Sequence, residues 1–219
     1  MDKASIGGVF LALAGILTGL LIEGGHIGQI LQPTAALIVF GGTLGAVLLQ
    51  FPLTTVVAAF RSLVHIFAAP RKHDDQLIGR LVTFANKARR QGMVSLDGDL
   101  ESIDDPFLKQ TLMLAVDGTE PAELRNIMRV CLDSAIEDEE RLPAVFESAG
   151  GFSPTIGILG AVLGLIQVMQ HLDNIHEVGR GIAVAFVATI YGVGLANLFF
   201  LPFAGKMRIL IGEDQQRRE

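Results

Sequence analysis

The chain has 219 residues, half of them hydrophobic and only 18% charged, with a formal net charge of −6. That composition is too apolar for an ordinary soluble domain, and the acidic balance argues against nucleic acid as a partner. A single cysteine, Cys131, excludes a disulfide framework or a cysteine-based metal site within one chain.

No residue ionised at neutral pH lies in 24–60, 148–172 or 181–205. Crossing a hydrocarbon core of ~30 Å takes about 20 apolar residues at ~1.5 Å each. Four membrane helices are therefore expected, near residues 4–22, 33–52, 152–171 and 181–203. The first follows Lys3 and has the look of a signal peptide. Glu23-Gly24-Gly25-His26 is a poor cleavage site, however, and a second span follows at once, which predicts a retained helix. Loop 23–32 has no Lys or Arg and loop 172–180 has only Arg180, whereas 61–147 carries eleven. The excess of positive charge places the middle segment and both termini in the cytoplasm.

Between the two pairs of spans the pattern is helical. Leu77, Ile78, Leu81, Val82, Ala85 and Ala88 share one helix face. Asp105-Pro106 supplies a capping residue and a proline at the first helical position, and Phe107, Leu108, Leu112 and Val116 continue the stripe. Thr119-Glu120-Pro121 opens a third helix with Leu124, Ile127, Met128, Cys131, Leu132, Ala135 and Ile136 on one side. Gly92, Gly98 and Gly118 mark the turns. The expected fold is all-α: a polytopic membrane protein with four transmembrane helices and a cytoplasmic helical module. Residues 1–60 and 148–205 hold the span pairs, 61–147 the module and 206–219 a short tail.

In the third span Gly157, Gly160, Ala161 and Gly164 fall on one side. In the fourth, Gly181, Ala185, Ala188, Thr189, Gly192 and Ala196 recur at three- and four-residue steps. Small residues so spaced let helix backbones approach closely in lipid. Two readings follow: close packing within one subunit, or a small face meeting other copies or a partner helix. Pro154 is expected in the first turn of the third span, where its missing N–H costs little. Pro202, late in the fourth, is expected to kink or end that helix. Thr189, Tyr191 and Asn197 are the polar side chains of the fourth span; a threonine there most often bonds back to its own helix.

No Asp, Glu, Lys or Arg lies inside any span, although proton and ion relays usually need one. If the protein conducts an ion, the carrying carboxylate must come from another polypeptide. The outer-loop group His171, Asp173, His176 and Glu177 matches no strong zinc spacing and reads as a solvated loop. Lys87, Arg89 and Arg90, followed by Asp97 and Asp99, form either a hydrated corner or a docking surface for a charged partner. No Ser-His-Asp set, phosphate loop or HExxH helix supports an enzyme reading.

The layout of two spans, a cytoplasmic helical segment and two further spans resembles the MotA-type stator subunit of the bacterial flagellar motor. The stretch from Ala88 to Asp97, ARRQGMVSLD, resembles that family's basic–Gly–Leu–acid signature. FSPTIGILGAVLGLI is similar to the start of its third span and GIAVAFVATIYGVGLANLFFLP to its fourth. The resemblance implies an inner-membrane homo-oligomer, thought to be a pentamer, around a MotB-like single-span subunit that binds peptidoglycan and supplies the ion-binding aspartate. It further implies that the cytoplasmic module engages the rotor switch protein through Arg89, Arg90 and Asp97. The ion path is expected along Ala161, Thr189, Pro154, Pro202 and Tyr191. Sodium-driven members carry threonine where Ala161 stands, so a proton is the expected ion; no cofactor is implied. The sequence departs from the family pattern in ending at Glu219, where many members continue with a charged helix. Two alternatives remain beside this reading. One is an ExbB/TolQ-type subunit, whose relatives usually have three spans and an outer N-terminus. The other is a membrane scaffold without ion flux.

Overall fold

The computed structural model describes residues 3–68, 74–103 and 105–218, and among these there is helix but no strand. The helices are α1 (Lys3–Ile22), α2 (Ile27–Ile30), α3 (Pro33–Gln50), α4 (Leu53–Ala68), α5 (Asp74–Gln91), α6 (Pro106–Val116), α7 (Pro121–Gln170), α8 (Ile175–Leu195) and α9 (Leu201–Arg218). A 3₁₀ segment covers Met93–Ser102, and a π turn, Ala196–Phe200, joins α8 to α9. The chain divides into two units, Met1–Ala69 with Glu139–Ile211, and Pro70–Asp138 with Gly212–Glu219.

Among the described residues, three helices are long and apolar enough to cross a membrane: Pro33–Gln50 and parts of Pro121–Gln170 and Ile175–Gln216. Two shorter apolar stretches, Ile6–Ile22 of α1 and Leu53–Leu63 of α4, fall below that length. Only 22% of Pro33–Gln50 is buried against the rest of the chain, so most of its apolar surface needs lipid or another polypeptide to cover it. Leu37 and Leu49 are 76% and 92% exposed.

Two clusters hold the first unit together. Ala35 and Val39 of α3 pack on Val187 and Ala188 of α8, with Ile30, Tyr191 and Leu195 at the margin. Val47, Val56, Ala59, Val145, Phe146, Ala149, Ala204 and Met207 form the second, which brings α4 against α7 and α9. Helix α4 has no counterpart in the sequence expectations, which treat residue 61 as the start of the cytoplasmic module. Pro52 breaks the ladder after Gln50, but Thr55 and Val56 bond back to the Pro52 carbonyl and restart it at once.

The first-turn expectation for Pro154 and the expectation of a helix end at Pro202 need correction. The helix that carries the third apolar segment does not begin near residue 152: α7 runs unbroken for 50 residues from Pro121, with Pro143 and Pro154 inside it. Pro154 therefore sits mid-helix and withdraws the donor that the Gly150 carbonyl would otherwise receive. The helix survives because Val145, Phe146 and Ala149 on one side of Pro154 and Gly157 and Gly160 on the other are buried against neighbouring helices. Nor does the fourth helix end at Pro202. The π turn before it shifts the register, Leu201 N donating to the Ala196 carbonyl, and α9 continues to Arg218. The wider turn absorbs the missing proline N–H. Asn197 Nδ2 donates to the Val193 carbonyl at 2.9 Å beside the change of register.

In the second unit Asp105 caps α6, its Oδ1 accepting from the N–H groups of Phe107 (2.9 Å) and Leu108 (3.3 Å), with Pro106 at the first helical position. Gly92 (φ 86°) and Gly118 (φ 83°) occupy left-handed turns that a side chain would strain. The 3₁₀ segment packs on α5 and α6 through buried Leu96 and Leu100.

Candidate functional site

The small-residue stripes of α7 and α8 face each other within one chain. A methyl group added at Gly157 would lie 2.8 Å from the Ala188 carbonyl oxygen and 3.1 Å from Gly192 Cα. One at Gly164 would lie 2.9 Å from both Ala185 N and the Gly181 oxygen, and one at Gly160 2.9 Å from Ala188 Cβ. Partner numbers fall as residue numbers rise from 157 to 164, so the helices run antiparallel. Helix α3 closes one side of the pair, Gly42 meeting Ile156 and Ile38 meeting Gly160. The stripes thus serve close packing inside the subunit. Packing at this distance holds helices together in lipid, where the hydrophobic effect contributes little.

That seam places the expected ion-path residues. Each step along an α-helix turns about 100°. Ala161 and Thr189 each follow a seam residue, Gly160 and Ala188, and in an antiparallel pair those steps bring both to the same flank, opposite α3. Pro154 joins them there, with its Cα 3.2 Å from the position of a methyl at Gly192. Ala161, Thr189 and Pro154 are half-buried. Ile158 and Leu165, 58% and 50% exposed, continue the flank as apolar surface. The Thr189 hydroxyl donates to the Ala185 carbonyl at 3.3 Å.

Tyr191 stands elsewhere. It turns toward α3, where its hydroxyl donates to the Ile30 carbonyl and accepts from Gln32 N at 3.3 Å. Its ring packs on Phe40 with centroids 6.4 Å apart. It therefore ties α8 to the connection before α3, on the side away from Ala161 and Thr189. Pro202 is exposed at the start of α9.

Arg89, Arg90 and Asp97 are all exposed in the second unit. The arginines occupy the last turn of α5, where the helix dipole favours cations. Lys87 Nζ bonds Asp99 Oδ2 at 2.5 Å, pinning the 3₁₀ segment that carries Asp97 to α5. Of the five charges in that corner, these two pair with each other. In the outer loop His171 Nδ1 lies 3.0 Å from the Gln167 carbonyl, and Asn174 caps α8 through His176 N at 3.1 Å. Among the described residues no three His, Cys, Asp or Glu side chains gather to hold a metal.

Sequence reasoning missed the Tyr191 tie and the Glu147–Arg208 ion pair, which joins α7 to α9. It also missed two buried hydroxyls, Thr43 and Ser153, that have no hydrogen-bond partner. The Tyr191 and Glu147–Arg208 partners lie far apart in sequence and leave no local signal.

Comparison with known proteins shows the family. Residues 99–219 match the MotA/TolQ/ExbB proton channel family and residues 6–92 the motility protein A N-terminal family. The Bacillus subtilis protein "Motility protein A" is 34% identical over 221 residues, covering 100% of this chain and 82% of that protein. The C. jejuni MotAB structure superposes with a TM-score of 0.90 at 29% identity, over 100% of this chain and 86% of the other. The Bacillus subtilis flagellar MotAB stator complex gives a TM-score of 0.87 at 33% identity, over 99% and 85%. The chain belongs to the MotA/TolQ/ExbB proton channel family, as a motility protein A relative.

Proposed function

We propose that the chain is the membrane subunit of a flagellar motor stator, coupling proton flow to torque on the rotor. The observation that carries this reading is the flank where Ala161, Thr189 and Pro154 meet. It offers a smooth, half-buried surface on a pair of helices whose apolar segments contain no Asp, Glu, Lys or Arg. A conducted proton needs a titratable group at membrane depth. In this reading the group is an aspartate on the single membrane helix of a MotB-like, peptidoglycan-binding subunit. The two matched structures, of MotAB, support such a partner. A ring of copies, five in the family picture, surrounds that subunit in the bacterial inner membrane, with both termini in the cytoplasm.

Ala161 favours the proton over sodium. A second hydroxyl here would help replace sodium's hydration shell, whereas a proton passing to a carboxylate needs no such cage. The exposed corner of Arg89, Arg90 and Asp97 is the surface offered to the rotor switch protein. The match to the motility protein A N-terminal family, over residues that include α1 and α3, favours this reading over an ExbB/TolQ-type subunit. Co-purification with the candidate partner, followed by mass measurement of the intact complex, tests the assembly. A complex of several copies with a carboxylate-bearing single-span protein supports it. A partner without a membrane carboxylate, or no partner, turns the reading toward a scaffold.

A further inference from the structure

Between α3, α4, α7 and the α8–α9 turn lies a cavity of ≈ 360 Å³. Its walls include Phe40, Thr43, Phe60, Phe146, Phe199 and Phe203. Phe146 meets the Phe60 ring edge-on at 5.4 Å and Phe203 at 6.4 Å, and Phe199 meets Phe203 at 6.1 Å, so the rings form a connected wall. The volume falls within the ~300–1,000 Å³ of ordinary ligand sites and is more than twice the ~150 Å³ of a dry cavity that admits benzene.

We propose that this cavity holds an acyl chain of a membrane phospholipid. Water does not suit it, because an ordered water needs about 2–4 polar partners. The wall offers one polar side chain, Thr43, 4% exposed, with its hydroxyl unpartnered. Thr189 turns its hydroxyl back to its own helix; that of Thr43 makes no such bond. Left empty, the rings would lose dispersion contacts along the whole wall. The rim residues Phe40, Leu44 and Phe60 are 52%, 48% and 46% exposed, on or next to a helix apolar enough to span the bilayer. The source of an apolar occupant at that depth is lipid. A flexible chain of methylenes fills an irregular, ring-walled space that is larger than one side chain from a neighbouring copy. The π turn contributes Phe199 and Phe200 to the wall, so an occupant would brace the one irregular stretch of the α8–α9 helix. The inference rests on membrane placement and not on the ion path.

The test uses the whole complex with its partner, in nanodiscs of phospholipid carrying dibrominated acyl chains, imaged by cryo-electron microscopy. Bromine density between the Phe146 ring and Thr43 is expected. Density for a side chain of a neighbouring copy, or a cavity without bromine, overturns the proposal. Ala149→Phe, which fills the cavity from α7, should remove the bromine signal and one co-purified lipid per copy. Retention of both in an assembled variant also overturns it. The chain has no tryptophan, so Phe146→Trp gives a clean reporter once the partner's tryptophans are replaced. Its emission should fall at least twofold in brominated lipid, and unchanged emission contradicts the proposal independently of Ala149→Phe.

Discussion

Replacing Gly192 with alanine adds one methyl group at the tightest point of the α7–α8 seam. That methyl would overlap the Ser153 carbonyl oxygen and lie 3.0 Å from Gly157 Cα and 3.2 Å from Pro154 Cα. All three are backbone positions, so no side chain can rotate away. Restoring contacts of about 3.5–4.0 Å, the Ser153 oxygen included, requires the backbones to part by roughly 1 Å or more. Overpacking of this kind costs about 1–3 kcal/mol. At roughly 2–4 °C per kcal/mol for a chain of this size, a cost near ~2 kcal/mol lowers the melting temperature by about 4–8 °C. Gly194→Ala is the matched control. Two residues along the same helix, its methyl meets nothing within 4 Å, and alanine is favoured over glycine there by about 1 kcal/mol. Thermal melts of the purified complex, followed by far-ultraviolet circular dichroism, should separate the two variants in opposite directions. A Gly192→Ala protein melting at or above Gly194→Ala would refute the seam as described.

Asp105→Ala removes the cap of α6 and should cost about 1 kcal/mol, read by chemical denaturation, with Asp105→Ser restoring most of it. Thr189→Val keeps the shape of the side chain but removes the hydroxyl; motility should fall while the melt is unchanged, and Thr189→Ser should swim. A Thr189→Val strain swimming at full speed would remove Thr189 from the ion path. Ala161→Thr should weaken or alter proton drive, checked by swimming speed with and without sodium. Reversing Arg90 or Asp97, as Arg90→Glu or Asp97→Lys, should impair torque in tethered cells without blocking assembly, because both side chains are exposed and Lys87–Asp99 still holds the loop. Full torque in both variants would remove the docking role.

Much of this fold was legible because its signals are local. Asp105-Pro106 announces a helix start through chemistry confined to four residues, and the cap forms as expected. The small-residue stripes are likewise periodic, and both helices use them. What stayed hidden depends on distant partners. A proline with apolar flanks reads as a helix start or stop, yet burial on both sides of Pro154 carries α7 through it. At Pro202 the deciding feature is the π turn upstream, which no residue pattern signals. Helix α4 was obscured because its apolar first half resembles the end of the preceding span, while Arg61 resembles the start of a soluble segment. Tyr191 showed only as a polar group in a membrane helix. Its partners, the Ile30 carbonyl and Gln32 N, lie about 160 residues away, so the tie to the connection before α3 leaves no local signal.

The most direct test of the half-pathway is proton flux itself. Cells or vesicles carrying this chain with its MotB-like partner, in sodium-free medium under an imposed proton gradient, should acidify on the inner side. Acidification should vanish with this chain alone and when the partner's membrane aspartate is replaced by asparagine. Flux through this chain alone, or flux that appears only with sodium, would contradict a proton path completed by another protein's carboxylate.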